Sequence, residues 1–153
     1  VQLLVLDVDG VLTDGRIQFD ADGREFKVFH VRDGYGIRRV LEAGIEVAII
    51  SGRKSVAVQK RAAELGIKNI HLGIDNKISV FTDLLAELGV SAEAAACVGD
   101  DTPDRDCMKA AGLGIAVADA HPDLDEVADW HTHLGGGKGA VREVCDLLLS
   151  ARS

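Results

Sequence analysis

Hydrophobic positions along this chain follow two patterns in turn. Unbroken apolar runs, too short for a helix, begin at Leu3 and recur at Glu46 to Ile50, Asn69 to Leu72, Ala95 to Val98 and Gly114 to Val117, with a further candidate at Trp130 to Thr132. Runs of that kind predict strands buried on both faces, as in the middle of a parallel sheet. Between them, apolar residues recur at helical spacing over Tyr35 to Ala43, Ser55 to Leu65, Ile78 to Leu88 and Ala140 to Leu149. Shorter helical stretches fall at Met108 to Ala111 and Asp123 to Ala128. Gly44, Gly66 and Gly89 stand where three of the helices should stop. Strand and helix alternating over short connections specify an α/β fold, a doubly wound, mainly parallel Rossmann-like sheet. One segment breaks the alternation: Ile17 to Asp20 and Glu25 to Val31 flank Ala21-Asp22-Gly23-Arg24, which predicts a β-hairpin inserted into the α/β core.

Length and composition narrow the class without naming a chemistry. At 153 residues, 47% hydrophobic and 27% charged, the chain is expected to form one domain over 1–153 with a substantial core. No apolar run is long enough to span a bilayer, and no secretion signal is seen, so the expected compartment is the cytoplasm. Cys97, Cys107 and Cys145 cannot all pair and lack metal-site spacing, so they are expected as reduced, buried thiols. A net charge of −8 argues against nucleic acid and anionic membranes as partners. A small phosphate is compatible with it where local cations dominate.

The ends of the predicted strands carry the chemistry. The first run closes on Asp7-Val8-Asp9-Gly10, the second on Ser51-Gly52-Arg53, and the Ala95 strand on Gly99-Asp100-Asp101-Thr102-Pro103-Asp104; Lys77 opens a helix. In a parallel sheet these ends share the edge where ligands bind. An Asp-Gly turn accounts for one acid after a strand, and a helix N-terminus for one or two more near Pro103. Neither accounts for two acidic strand ends side by side. Two carboxylates about 4 Å apart repel by roughly 4 kcal/mol at an effective dielectric near 20, so such a cluster needs a cation or must take up protons. Oxygen-only ligands suit Mg2+, held by Asp7, Asp9 and Asp100. Carboxylates, a hydroxyl, an ammonium and a hard ion together meet the needs of phosphoryl transfer. On that reading Asp7 attacks phosphorus to form an aspartyl phosphate, and Asp9 serves as general acid and then base. Ser51 and Lys77 bind the phosphoryl group, while Asp101 and Asp104 orient waters and Lys77.

The segments Asp7 to Gly15, Ser51-Gly52-Arg53, Lys77 and Gly99 to Asp104 resemble, in order, the four motifs of the haloacid dehalogenase superfamily. More narrowly, His30-Val31-Arg32-Asp33-Gly34-Tyr35-Gly36, Ala116 to Pro122 and Gly135 to Asp146 resemble its 3-deoxy-D-manno-octulosonate 8-phosphate phosphatase family. The resemblance covers essentially the whole chain. It implies a phosphatase without a cap domain, acting on a small sugar phosphate in lipopolysaccharide precursor synthesis. It also implies a homotetramer in which neighbours' hairpins and C-terminal tails help close the site. Roughly forty residues separate Asp9 from Ser51, too few for a lid domain. The family's substrate contacts map onto Asp9, His30, Val31, Arg32, Asp33, Gly34, Arg38, Arg53, Arg61 and Lys77, with His30 replacing the family's Asn. Arginine forks suit a sugar-acid carboxylate as well as a phosphate.

Other signals lead elsewhere or nowhere. Gly135 to Gly139 lacks P-loop spacing, leaving a flexible turn or a tail whose Lys138 and Arg142 meet a neighbour's site. Asp20-Ala21-Asp22-Gly23 lacks the remaining ligands of a calcium loop, and His131 and His133 lack a third metal ligand. A receiver domain also combines an acceptor Asp, a hydroxyl and a Lys, but places its acid pair on the first strand and the acceptor on a later one. An idle relative serving as an oligomeric accessory module is the second rival, and a nine-carbon sugar-acid 9-phosphate phosphatase the nearest one within the phosphatases.

Overall fold

The computed structural model describes residues 1–152. Its central sheet runs β5-β4-β1-β6-β7-β8, with every neighbouring pair parallel. In chain order these strands are β1 (Leu3–Leu6), β4 (Glu46–Ile50), β5 (Asn69–His71), β6 (Ala95–Gly99), β7 (Leu113–Ala116) and β8 (Trp130–His131). Strands β2 (Gln18–Phe19) and β3 (Glu25–Phe26) form the separate antiparallel hairpin. The helices are α1 (Val31–Glu42), α2 (Val56–Leu65), α3 (Lys77–Leu88), α4 (Arg105–Ala110) and α5 (Ala140–Ser150).

Period-two alternation along β1 sorts the core into two layers. Leu4 and Leu6 pack with Ile37 and Val40 of α1, Val58 of α2 and Val144 of α5. Leu3 and Val5 face the other way, toward Phe81 and Leu84 of α3 and Cys107 and Met108 of α4. With both faces covered, β1 has no polar position until Asp7, which is why its sequence is an uninterrupted apolar run. All three cysteines are buried and free. Among the described residues, no helix is long and apolar enough to cross a membrane.

Two elements differ from expectation. The expected strand to Val31 and helix from Tyr35 are replaced by a helix that begins at Val31. His30 caps it, its ring nitrogen accepting from the Arg32 N–H at 3.1 Å, and Asp33 sits in the first turn, where the helix dipole favours an acid. Gly34 and Gly36 fall in the first turns of α1, where neighbouring side chains pack closely. A Cβ at Gly36 would stand 3.0 Å from both Arg142 Cδ and Cys145 Cβ of α5. The helix expected over Asp123 to Ala128 shrinks to a 3-10 turn at Pro122–Leu124.

Candidate active site

The order of the sheet gathers the polar strand ends. β1 lies between β4 and β6, with Leu6 opposite Ile49 on one side and Val98 on the other. The chain therefore leaves all three strands at one edge, and Asp7, Ser51 and Asp100 follow within a residue or two. They line a cleft of about 450 Å³ together with Asp9, Arg53, Asp75, Lys77 and Asp101.

The loop after β1 is closed on itself. The Val8 carbonyl accepts from the N–H groups of Val11, Leu12 and Thr13 at 3.1, 2.9 and 3.1 Å. Thr13 Oγ1 accepts from the Gly10 and Gly15 N–H groups, each at 3.2 Å. Gly10 has φ +86°, and a Cβ there would collide with the Asp100 carboxylate. Glycine at this position is thus what lets the two acidic loops approach. From the other side Gly136 presses on Gly10, leaving no room for a Cβ beside the Gly10 carbonyl. Gly137 N–H donates to the Val11 carbonyl at 3.1 Å, and Gly136 N–H to Asp119 Oδ1 at 3.0 Å. Gly136 and Gly137 are therefore packed against the Asp7 loop, and their lack of side chains serves close approach.

Lys77, at the first position of α3, is buried between two acids. Its Nζ stands 3.1 Å from Asp7 Oδ1 and 2.7 Å from Asp104 Oδ1. The other Asp104 oxygen accepts from the Asp100 N–H at 3.0 Å. Asp104 thus ties the Asp100 loop to the lysine. Burial alone would lower the Lys77 pKa, but the charges of Asp7 and Asp104 outweigh it and hold the ammonium protonated well above its usual range. The Asp7 carboxyl shifts upward as well. Burial first and the Asp104 charge second push its pKa well above the ordinary value, with Lys77 opposing. Asp100 is pushed up to about 7 by burial and by the charge of Asp104. An edge with this excess of negative charge is short of a cation.

Asp7, Asp100 and Asp104 each present an oxygen within 4.8 Å of the others. This hard, oxygen-only donor set fits a divalent ion. Both Asp104 oxygens are already engaged, which leaves Asp7 and Asp100 as its carboxylate ligands. The Asp9 carboxylate stands apart from this cluster, and its Oδ1 accepts from Lys27 Nζ at 2.7 Å. Asp101 turns outward, its Oδ1 accepting from the Thr102 N–H at 2.7 Å.

Of the expected substrate contacts, the cleft brings together Asp9, Arg53 and Lys77. The rest lie outside it, on and before α1 and on α2. His30, Asp33, Gly34 and Arg61 line a separate hollow of about 10 Å³ with Leu12 and Ile37. Val31, Arg32 and Arg38 are exposed along α1. Asp33 is buried and accepts from the Arg142 N–H in the first turn of α5 at 2.9 Å; burial raises its pKa, against that hydrogen bond. His131 and His133 diverge, toward Asp125 at 3.1 Å and Glu143 at 2.9 Å.

Two residues in contact with the site escaped the sequence reading. Lys27 holds Asp9, and Glu25 holds Lys27 at 2.6 Å and Arg53 at 2.9 Å. The signal was present in Glu25-Phe26-Lys27-Val28, a polar-apolar alternation with charges on a single face.

Comparison with known proteins agrees with the geometry. A family model described as haloacid dehalogenase-like hydrolase matches residues 70–134. The 3-deoxy-D-manno-octulosonate 8-phosphate phosphatase KdsC of Salmonella typhi is 55% identical over 152 residues, covering 99% of this chain and 81% of that protein. The crystal structure of the phosphatase of that name from Yersinia pestis superposes with a TM-score of 0.97 at 47% identity, covering 99% of this chain and 82% of that one. The Moraxella catarrhalis phosphatase, solved with a magnesium ion, a phosphate ion and a KDO molecule, gives a TM-score of 0.97 at 43% identity, covering 99% and 87%. Fold, acidic strand ends and whole-chain identity coincide: the chain belongs to the 3-deoxy-D-manno-octulosonate 8-phosphate phosphatase family of the haloacid dehalogenase-like hydrolases.

Proposed function

We propose that this chain is a magnesium-dependent phosphatase that hydrolyses 3-deoxy-D-manno-octulosonate 8-phosphate to the free sugar acid and phosphate, supplying lipopolysaccharide precursor synthesis in the cytoplasm. The observation that carries the reading is the group of four at the sheet edge, in which Lys77 bridges Asp7 and Asp104 while Asp100 lies close to both acids. Asp7 and Asp100 would hold magnesium, which when bound neutralises phosphoryl oxygens and keeps both carboxylates ionised. An Asp7 oxygen attacks phosphorus, and the phosphoryl group passes to Asp7 as the ester bond breaks. Asp9 gives its proton to the departing sugar oxygen. It then takes one from the water that cleaves the acyl phosphate, and inorganic phosphate leaves. Lys77 neutralises the phosphoryl group, the Ser51 hydroxyl donates to it, and Arg53 faces the sugar acid from the cleft wall.

Assembly belongs to the same proposal. Phe26 and Val28 on the outer row of the hairpin are 55% and 69% exposed, an apolar pair that suits a second copy of the chain, in a homotetramer. Val31, Arg32 and Arg38, exposed along α1 and absent from the cleft of one chain, would take part where copies meet, with His30 and Arg61 beside them; Asp33 and Gly34 are buried within the chain and would support that surface from behind.

The deciding measurement is magnesium-dependent phosphate release across sugar phosphates with and without the acid carboxylate, the nine-carbon acid 9-phosphate included. The eight-carbon acid 8-phosphate is expected to be hydrolysed with the highest kcat/KM, and Asp7→Asn to abolish turnover with the fold intact. Metal-independent release, equal rates without the carboxylate, or an active Asp7→Asn enzyme would overturn the reading.

A further inference from the structure

The hairpin has two rows of side chains. Phe26 and Val28 point to solvent, while the intervening Glu25 and Lys27 point inward, as extended chain requires. The Lys27 side chain is only 4% exposed, and its ammonium meets Asp9 Oδ1 at 2.7 Å and Glu25 Oε1 at 2.6 Å. The second Glu25 oxygen meets Arg53 Nη2 at 2.9 Å. One continuous run of ion pairs therefore crosses from the end of β4, through the hairpin, to the loop after β1. Burial by itself would lower the Lys27 pKa, but the bonds to Asp9 and Glu25 more than offset it, so the lysine stays charged.

We infer that Lys27 is a positioning residue for the proton transfer made by Asp9, and that Glu25 holds Lys27 in place. This rests on the reading of Asp9 as general acid. An aspartate on a loop can rotate about two side-chain bonds, and proton transfer demands hydrogen-bond reach in a defined direction. Lys27 pins Oδ1, which assigns the transferred proton to Oδ2. The bond from Asp7 to phosphorus forms, the phosphorus–oxygen bond of the ester breaks, and the departing oxygen takes the Oδ2 proton, leaving Asp9 a carboxylate neutralised by Lys27. Glu25 contributes twice, since it also fixes Arg53 at the mouth of the cleft.

A leaving group that needs a proton separates positioning of Asp9 from general support of the fold. The ratio kcat/KM covers the steps through departure of that group. It is to be measured with saturating magnesium for the sugar-acid phosphate, an alkyl ester, and for p-nitrophenyl phosphate, whose phenolate leaves unaided. Lys27→Met keeps the length of the stem and is expected to lower kcat/KM about 100-fold for the alkyl ester and no more than about 5-fold for the aryl ester. Lys27→Arg, which retains the charge, should recover at least about a tenth of the wild-type alkyl-ester value. Glu25→Gln, which removes one anchor without loss of volume, should show the same selectivity at about 10-fold when the alkyl ester is a sugar phosphate without the acid carboxylate, which gives Arg53 no carboxylate to hold, and in that form serves in its own right should Lys27→Met fail to fold. Equal losses on both esters, or none on either, would overturn the inference while leaving the phosphatase reading intact. A wild-type enzyme inactive on every sugar-acid phosphate would overturn the reading, and the inference with it.

Discussion

Replacing Asp100 by Asn should stabilise the metal-free protein at alkaline pH while abolishing its response to magnesium. The magnitude follows from the position of Asp100 beside Asp104 at a partly buried edge, which moves its pKa from 3.8 to about 7. In the native state Asp100 holds a proton up to about pH 7, whereas the unfolded chain releases it near 3.8. Between those values the native state binds more protons, so raising the pH removes stability; above about 7 the loss is complete. At about 1.4 kcal/mol per pH unit the full difference is about 4 kcal/mol. Asp100 is only partly buried, and solvent screening reduces this to about 2 kcal/mol. For a chain of this size that is about 4–8 °C in Tm. Thermal melts followed by circular dichroism in a chelator should show the Asp100→Asn variant and the wild type diverging as the pH rises from about 4 to 8, with the variant the more stable at the upper end. Millimolar magnesium should raise the Tm of the wild type and leave the variant where it was. A variant no more stable than wild type at pH 8 in chelator, or a difference independent of pH, would refute the account of charge crowding at this edge.

Lys77→Met should cost about 3–5 kcal/mol in urea unfolding at neutral pH, because it leaves Asp7 and Asp104 buried without their shared cation; a loss below about 1 kcal/mol would show that water screens the pair. Gly136→Ala should cost about 1–3 kcal/mol and weaken magnesium binding, since its methyl group must push Gly10, and with it the Asp100 contact, out of place. Gly23→Ala, at positive φ but with nothing near its Cβ, should leave magnesium affinity measured by titration calorimetry unchanged. Phe26→Lys should reduce the assembled mass seen by light scattering, because it places a charge in the exposed apolar row.

What could be read from the sequence was whatever a single strand or helix decides. Asp7, Ser51 and Asp100 were legible because each breaks the polarity of a buried run at its end, and the order of the sheet then brings them together. Lys77 was legible as the first residue of a helix whose apolar spacing begins just after it. Contacts made between elements were not. The start of α1 was placed late because the apolar spacing that marks it rests on Ile37, Val40 and Leu41, whereas the first turn is set by the His30 cap and by the closeness of Arg61 and α5 to Gly34 and Gly36. Nothing within Asp7 to Gly15 announces that Lys27, on the hairpin, pairs with the Asp9 carboxylate. The glycines at 135–139 read as a flexible turn for the same reason: the surface that Gly136 and Gly137 press against lies more than a hundred residues earlier in the chain.

The pleat of the hairpin makes its inner and outer rows inseparable. Glu25 and Lys27 alternate with Phe26 and Val28 along one short ribbon of backbone, so a molecule gripping the outer pair drags on the inner pair as well. A binder directed at that outer row would therefore disturb the acid in the cleft without entering it, and added substrate would not displace it.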